Sequence, residues 1–310
     1  MGRRKAVISG RGLVVVAFRN FLSPIDGYSD LPFRLLCQRH EADAVCVPLV
    51  SATAIASDES KTSLVDAHPE ERNAGVQLVG NEPSHMGKAA RAVMERFPFV
   101  SWLNINCGCP SARTIGCGGG SAMLAHPGKI AESVREMKRA CDVPVSLKIR
   151  IKGDLEQTAA LCRLVEEAGA DFIIIHGRTA AQGYSGKADW GMIKSLRERL
   201  RVPLVGNGDI RSREEGERLV EEGYCDSYMV ARAAMGNPLF FEGKEPEGIA
   251  GRMALLGDYV SLHRKHAGEP RLKDVKLKAV NFMSGIRGAS MMRDNICRAA
   301  SVEEVMRMQD

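Results

Sequence analysis

The chain has 310 residues, 45% of them hydrophobic and 26% charged, an ordinary balance for a globular protein and enough for one large domain with an appendage. No apolar run is long enough to cross a bilayer, which excludes a helical membrane protein, and nine scattered cysteines favour free thiols in a reducing, cytoplasmic setting over a disulfide scaffold. The net charge is only +5, yet nine Lys or Arg stand against three Asp or Glu between Leu262 and Arg298, leaving the rest of the chain at −1; such a basic segment on a near-neutral body points to an anionic partner, and nucleic acid is the commonest large one.

Residues 1–16, MGRRKAVISGRGLVVV, join a basic end to a short apolar patch. The patch is too short, and Arg19 too close behind it, for a signal peptide, so the stretch is read as an N-terminal extension. Eight apolar runs follow, separated by amphipathic text. NFLSPI (20–25) leads into the helical pattern LPFRLLCQRH (31–40), and DAVCVPLV (43–50) into a weak helical pattern over 58–67. GVQLVG (75–80) precedes SHMGKAARAVMERF (84–97); VSWLNIN (100–106) precedes a Gly- and Cys-rich loop and then PGKIAESVREMKRAC (127–141). PVSLKIR (144–150) is followed by LEQTAALCRLVEEAGA (155–170), DFIIIHG (171–177) by WGMIKSLRERL (190–200), and PLVGNGD (203–209) by SREEGERLVEEG (212–223), before DSYMVAR (226–232) ends the alternation.

The runs are rich in Val, Ile and Leu, as strands buried on both faces should be. Ser, Asp or Pro starts and Gly stops bound the helices. Eight strands alternating with helices predict a (β/α)8 TIM barrel over residues 17–243. A doubly wound sheet would want a Gly-rich fingerprint after the first strand, and SPIDGYSD is not one. From 244 to 310 the text is helical only, in GIAGRMALLGDYVSLHRKHAG, RLKDVKLKAVNFMSGI and SVEEVMRMQ. It predicts a small all-helical domain carrying the basic cluster.

In a barrel the active site is built at the C-terminal ends of the strands. The first of these ends carries Pro24, Ile25 and Asp26, the third Gln77, the fourth Asn104 and Asn106, and the fifth Lys148 and Arg150. The sixth carries His176 and Arg178, the seventh Asn207, Gly208 and Asp209, and the eighth Ala231 and Arg232; only the second, Leu49–Val50–Ser51, offers little. Singly, each has a bland reading as a satisfied core amide, a paired cation or a structural histidine. Their convergence at one end predicts a lined pocket, because isolated buried polar groups cost free energy. Gly-rich turns after strands seven and eight are the usual phosphate position of a barrel, and Arg232 adds a bidentate cation. A flavin suits the rest: a cation such as Lys148 steadies a reduced ring, and amides such as Gln77 or Asn106 bond its edge.

The loop NINCGCPSARTIGCGGGSAML (104–124) holds Cys107, Cys109 and Cys117. Zinc or an iron–sulfur cluster would want a fourth ligand that the loop lacks, so no metal site is expected there. The C-x-x-C spacing of a redox pair is also absent. One reactive thiol on a mobile, Gly-rich loop fits best, because a thiol is mostly protonated at neutral pH and can act as a general acid.

These residues resemble the tRNA-dihydrouridine synthase family. The cysteine loop is similar to its N-x-G-C-P loop and Gly-rich continuation. SPIDGYSDLPFRLLC resembles its first strand and turn, where Pro-Met-Ala-Gly-x-Thr-Asp is usual. QLVGNEP, SLKIR, IIIHGRTAAQGYSGKADW, VGNGDI and VARAAMGNP follow its remaining motifs in order, over roughly residues 22–238. The resemblance implies an FMN-bound barrel that reduces the C5–C6 bond of a tRNA uridine, with NADPH as reductant. Hydride would reach C6 and Cys109 would protonate C5. Asn106 would position the uracil, Lys148 and Arg150 would lie between flavin and RNA, and Arg178 would meet the base or its backbone. His176 and Gln77 would touch the flavin, with Pro24, Ile25, Asp26 and Asp209 alongside. Asn207, Gly208, Ala231 and Arg232 would hold its phosphate. On the tail, Lys273, Lys276, Lys278 and Arg287 would grip the tRNA, and a monomer is expected. Ala231 replaces the family's usual Gly, Asp26 replaces a small residue or Glu, and the tail is short and lacks the aromatic residues expected near its end, which bears on how it grips tRNA. Two other readings compete: a flavin barrel that reduces a free pyrimidine-like molecule, and an RNA-binding barrel without chemistry.

Overall fold

The computed structural model describes residues 18–286 and 288–309. The expected extension at 1–16 and the expected tRNA contact Arg287 lie outside them.

All eight expected strands form, somewhat trimmed: β1 (Asn20–Leu22), β2 (Val45–Ser51), β3 (Ala74–Val79), β4 (Trp102–Cys107), β5 (Val145–Arg150), β6 (Phe172–His176), β7 (Leu204–Asn207) and β8 (Ser227–Val230). They run parallel in the order β1-β8-β7-β6-β5-β4-β3-β2. A parallel bridge from Phe21 to Ala44 joins β1 to the approach to β2 and closes the ring. The fold is the predicted (β/α)8 barrel.

Period-2 alternation sorts each strand. On β4 and β5, Leu103, Ile105, Cys107, Val145, Leu147 and Ile149 point outward into an apolar layer shared with the surrounding helices. Phe21, Trp102 and Phe172 point inward with Ile174, Val205 and Met229. Their rings meet edge-on or tilted at 5.4–6.2 Å between centroids and plug the barrel's lower half. Gly75 is obligatory there: a Cβ on it would lie 2.2 Å from the Trp102 ring. Above this plug the inward positions turn polar, which is where a barrel's chemistry sits.

The second helix departs from expectation. It is short, Ala52–Ser57, and a 3-10 stretch at Glu59–Leu64 follows. Ser51, at the otherwise uninformative end of β2, starts it by accepting the Ala54 N–H. The tail contains helices Gly248–Ala267, Leu272–Phe282, Ser290–Arg298 and Val302–Met306. The helix Ser290–Arg298 was not among the expected helical segments; it buries Ile296 and lacks a side-chain cap. The tail shares one core with β1, β8 and the helix Leu31–Arg39, through residues such as Leu36, Phe241, Leu256, Tyr259 and Phe282. Among the described residues, no helix is long and apolar enough to cross a membrane.

Candidate active site

Register brings the inward polar residues together. Gln77 pairs with Asn104, Asn106 with Lys148, Arg150 with His176, and His176 with Asn207. The side chains form a chain around the rim. Ser146 Oγ accepts from Asn104 at 2.7 Å, Asn104 Oδ1 from Gln77 at 2.7 Å, and Gln77 Oε1 from Asn106 at 2.7 Å. Gln77, Asn104 and Asn106 are all buried, so these bonds satisfy amides that would otherwise be costly.

Lys148 Nζ donates to Asn207 Oδ1 at 3.1 Å, and Asn207 Nδ2 to the Met229 carbonyl at 2.8 Å. Burial, and then the neighbouring Arg150, lower the Lys148 amine to about 8. Burial, followed by the charges of Lys148, Arg150 and Arg178, takes His176 down to about 2, so its imidazole is neutral at physiological pH. A neutral imidazole can donate or accept one hydrogen bond without adding charge.

Cys109 stands at the rim on the loop after β4. Asn106 Oδ1 accepts from the backbone N–H groups of Gly108 and Cys109 at 3.1 and 3.0 Å. Arg150 donates to the Gly108 carbonyl at 3.0 Å and to those of Thr179 and Gly183 at 3.0 and 2.8 Å, tying two loops together. The thiol lies 3.5 Å from Ser111 Oγ and 3.6 Å from Thr114 Oγ1, which are themselves hydrogen-bonded at 2.8 Å. Ser111 and Thr114 were missed in sequence; the available signal was Ser-x-x-Thr after a proline, a helix start, and Ser111 does cap Ala112–Gly116.

The glycines of this loop are not loose hinges. A Cβ on Gly118 would lie 2.5 Å from Asn81, on Gly119 2.9 Å from Val79, and on Gly120 2.6 Å from the Cys109 carbonyl. The expected mobile loop is a packed one, in which glycine permits close approach. Cys107 faces the apolar layer outside β4, where burial pushes its thiol far up, while Cys117 is exposed. The three sulfurs therefore have different surroundings, and none belongs to a convergent ligand group among the described residues.

At the β7 and β8 ends, Gly208 has φ 129° and Asp209 φ 56°. Asp209 receives the Ala188 N–H at 2.8 Å, Arg178 at 2.8 Å and Arg232 at 2.7 Å. Burial raises its carboxyl, but these donors outweigh burial and leave it below its ordinary range. Ala231 precedes the short helix Arg232–Gly236. Arg232 remains largely exposed, with one donor on Asp209. Pro24 and Ile25 are partly buried beside the rim. Asp26 is exposed and lies 3.6 Å from Arg113 of the cysteine loop.

Three of the expected contact residues have partners within the chain. Arg178 is buried and also donates to the carbonyls of Ser185 and Gly186 at 3.0 and 2.7 Å, so it braces a loop and does not reach outward. Asn106 gives its oxygen to the cysteine loop and its amide N–H to Gln77. Lys278 cannot grip an RNA. It is 1% exposed, donates to the Tyr28 carbonyl and lies 3.3 Å from Asp30, over the Tyr28 ring at 3.9 Å. Lys273 is exposed, and Lys276 donates to the Cys297 carbonyl at 2.7 Å.

Residues 21–305 match the family model described as dihydrouridine synthase (Dus). A probable tRNA-dihydrouridine synthase of Aquifex aeolicus is 30% identical over 295 residues, 92% of this chain and 93% of that protein. The tRNA-dihydrouridine synthase B of Pseudomonas aeruginosa is 33% identical over 226 residues, 72% of this chain and 68% of that one. A fungal relative from Coprinopsis cinerea, named as an NAD(P)(+) tRNA-dihydrouridine(47) synthase, is 32% identical over 271 residues, 81% of this chain and 40% of that longer protein. Among solved structures, 6-hydroxypseudooxynicotine amine oxidase from Pseudomonas geniculata superposes with a TM-score of 0.56 at 12% identity, over 81% of this chain and 53% of that one. Histamine dehydrogenase from a Rhizobium species gives 0.53 at 14%, over 79% and 49%. At such identities the two structures speak for the barrel alone.

Proposed function

The chain belongs to the dihydrouridine synthase family, and on that premise we propose that it reduces the C5–C6 double bond of a uridine in tRNA to 5,6-dihydrouridine. The observation that carries this reading is the placement of Cys109. Its backbone is held by Asn106 and its loop by Arg150, in the same rim as Lys148 and His176.

The rim's donors fit a phosphorylated flavin. Lys148 is a cation with only an amide oxygen for partner, and such a group favours an electron-rich neighbour. Gln77, Lys148 and His176 would contact the ring, while Gly208, Ala231 and Arg232 would meet the phosphate. Reduced FMN, when bound, would supply the hydride for C6, and NAD(P)H, whose oxidised form NAD(P)(+) stands in the name of a relative, would return the flavin to its reduced state. The chain's own part is to hold, exclude and protonate. Cys109 gives its proton to C5 and recovers one from water through the Ser111–Thr114 hydroxyls. The uridine must leave its stack to reach the rim, and exposed tail cations such as Lys273 hold surrounding phosphates.

The test is Cys109→Ala with unmodified tRNA, reading dihydrouridine by nucleoside mass spectrometry. Formation should fall by roughly 10²–10⁴-fold, with the bound-flavin spectrum and tRNA gel shift unchanged. Normal turnover in that variant removes the acid assignment. Free uridine reduced as efficiently as tRNA would favour the small-molecule reading instead.

A further inference from the structure

Two histidines and a carboxylate meet where the tail packs against the barrel. His68 and Glu70 lie in the loop that leads into the N-terminal end of β3, and His266 lies in the last turn of the tail helix Gly248–Ala267. One potential ligand atom from each falls within 4.8 Å of the others. The His68 and His266 rings pack edge to face at 4.8 Å.

Two observations mark the cluster as more than a surface contact. The His266 side chain is 3% exposed, yet its Nε2 has no hydrogen-bond partner. The nearest charged group is Glu70, whose Oε2 lies 3.5 Å from that nitrogen. Buried polar atoms are ordinarily satisfied, so this nitrogen points to a ligand. The loop is also held in place: the His68 N–H donates to Glu71 at 2.9 Å, and Glu71 is locked by Arg34 at 2.6 Å.

We propose that His68, Glu70 and His266 bind one divalent ion of the zinc class, joining the tail to the barrel. Two imidazoles and one carboxylate form a donor set that zinc accepts, with water as fourth ligand. Hard ions such as magnesium prefer all-oxygen shells. Tetrahedral zinc with bonds near 2.0–2.1 Å sets its ligands about 3.4 Å apart, close to the Glu70–His266 separation of 3.5 Å. The wider spacing to the third donor closes by a side-chain adjustment, because Glu70 is exposed and His68 only partly buried. Lys265 Nζ now lies 3.1 Å from both Glu70 oxygens and would yield one of them to the ion.

The full-length protein, stripped with EDTA and desalted, is titrated with zinc sulfate by calorimetry while its unfolding temperature is followed. One zinc per chain should bind, and the unfolding midpoint should rise with zinc concentration. His266→Gln and His68→Gln should each weaken uptake by at least about tenfold; His68→Gln changes a partly exposed loop and so guards against a variant that merely misfolds. Cobalt in place of zinc should give a d–d spectrum without thiolate charge transfer. The proposal is overturned by no uptake, by uptake unchanged in the double histidine variant, by a thiolate band placing the ion on cysteines, or by an equal response to magnesium.

Discussion

Cations are buried both at the tail–barrel interface and at the rim, and the protein treats the two sets differently. At the interface each meets a carboxylate. Arg34, fully buried, grips Glu71 at 2.6 and 3.1 Å and lies 3.0 Å from Asp66; Lys278 has Asp30 at 3.3 Å and two tyrosine faces around it. At the rim, Lys148 has one amide oxygen and Arg150 three backbone carbonyls. A buried charge without a counter-charge costs free energy. The interface cations are therefore architecture, whereas Lys148 and Arg150 have no carboxylate partner among the described residues.

The largest effect that tests this contrast is Arg34→Met. It strands Glu71, whose side chain has no solvent exposure, and should destabilise the protein by about 3–5 kcal/mol in chemical denaturation. A loss under about 1 kcal/mol, the worth of an ordinary exposed pair, would break the comparison. Lys278→Met should come next, with a loss of about 1–3 kcal/mol, smaller because Asp30 is one-third exposed and keeps the Tyr259 hydroxyl at 2.8 Å. tRNA affinity should not change with Lys278→Met beyond what the lost stability accounts for, whereas Lys273→Glu should weaken it and flatten its salt dependence. Weaker tRNA binding by an otherwise stable Lys278→Met protein would return that lysine to the RNA surface.

The same contrast explains what could be read from the chain alone. Eight apolar runs with period-2 polar ends report backbone geometry, so the barrel and its rim were legible down to Gln77, Lys148 and His176. Lys278 was not, because a lysine in basic helical text looks alike whether it faces solvent or Asp30; its fate depends on residues some 250 positions away. Arg178 and Asn106 were placed correctly at the strand ends, but each also bonds loop backbone groups that no side-chain pattern encodes. The Gly118–Gly120 run suggested mobility by composition, and its actual cause, close approach to Asn81, Val79 and Cys109, is tertiary. His266 gave no signal, since its two companions lie almost 200 residues earlier.

Lys148 gives the smallest effect and the sharpest test, because its sign is opposite to the interface. Lys148→Met should lose flavin yet unfold with the ligand-free protein about 1–2 kcal/mol more stable at pH 7, since a partly buried charge is replaced by an apolar chain of similar length. The pH dependence follows from the lowered amine, at about 8 against an ordinary 10.5. Below the folded value both states hold the proton and the burial cost is present in full. Between the two values the unfolded chain binds more protons than the folded one, so stability rises with pH. Other groups titrate in the same window, but the difference between the original protein and Lys148→Met cancels them. That difference should shrink by roughly 1 kcal/mol between pH 8 and 10, after discounting for solvent screening. A difference that stays flat would mean that Lys148 already has its counter-charge within the fold, and the rim would then be no different from the interface.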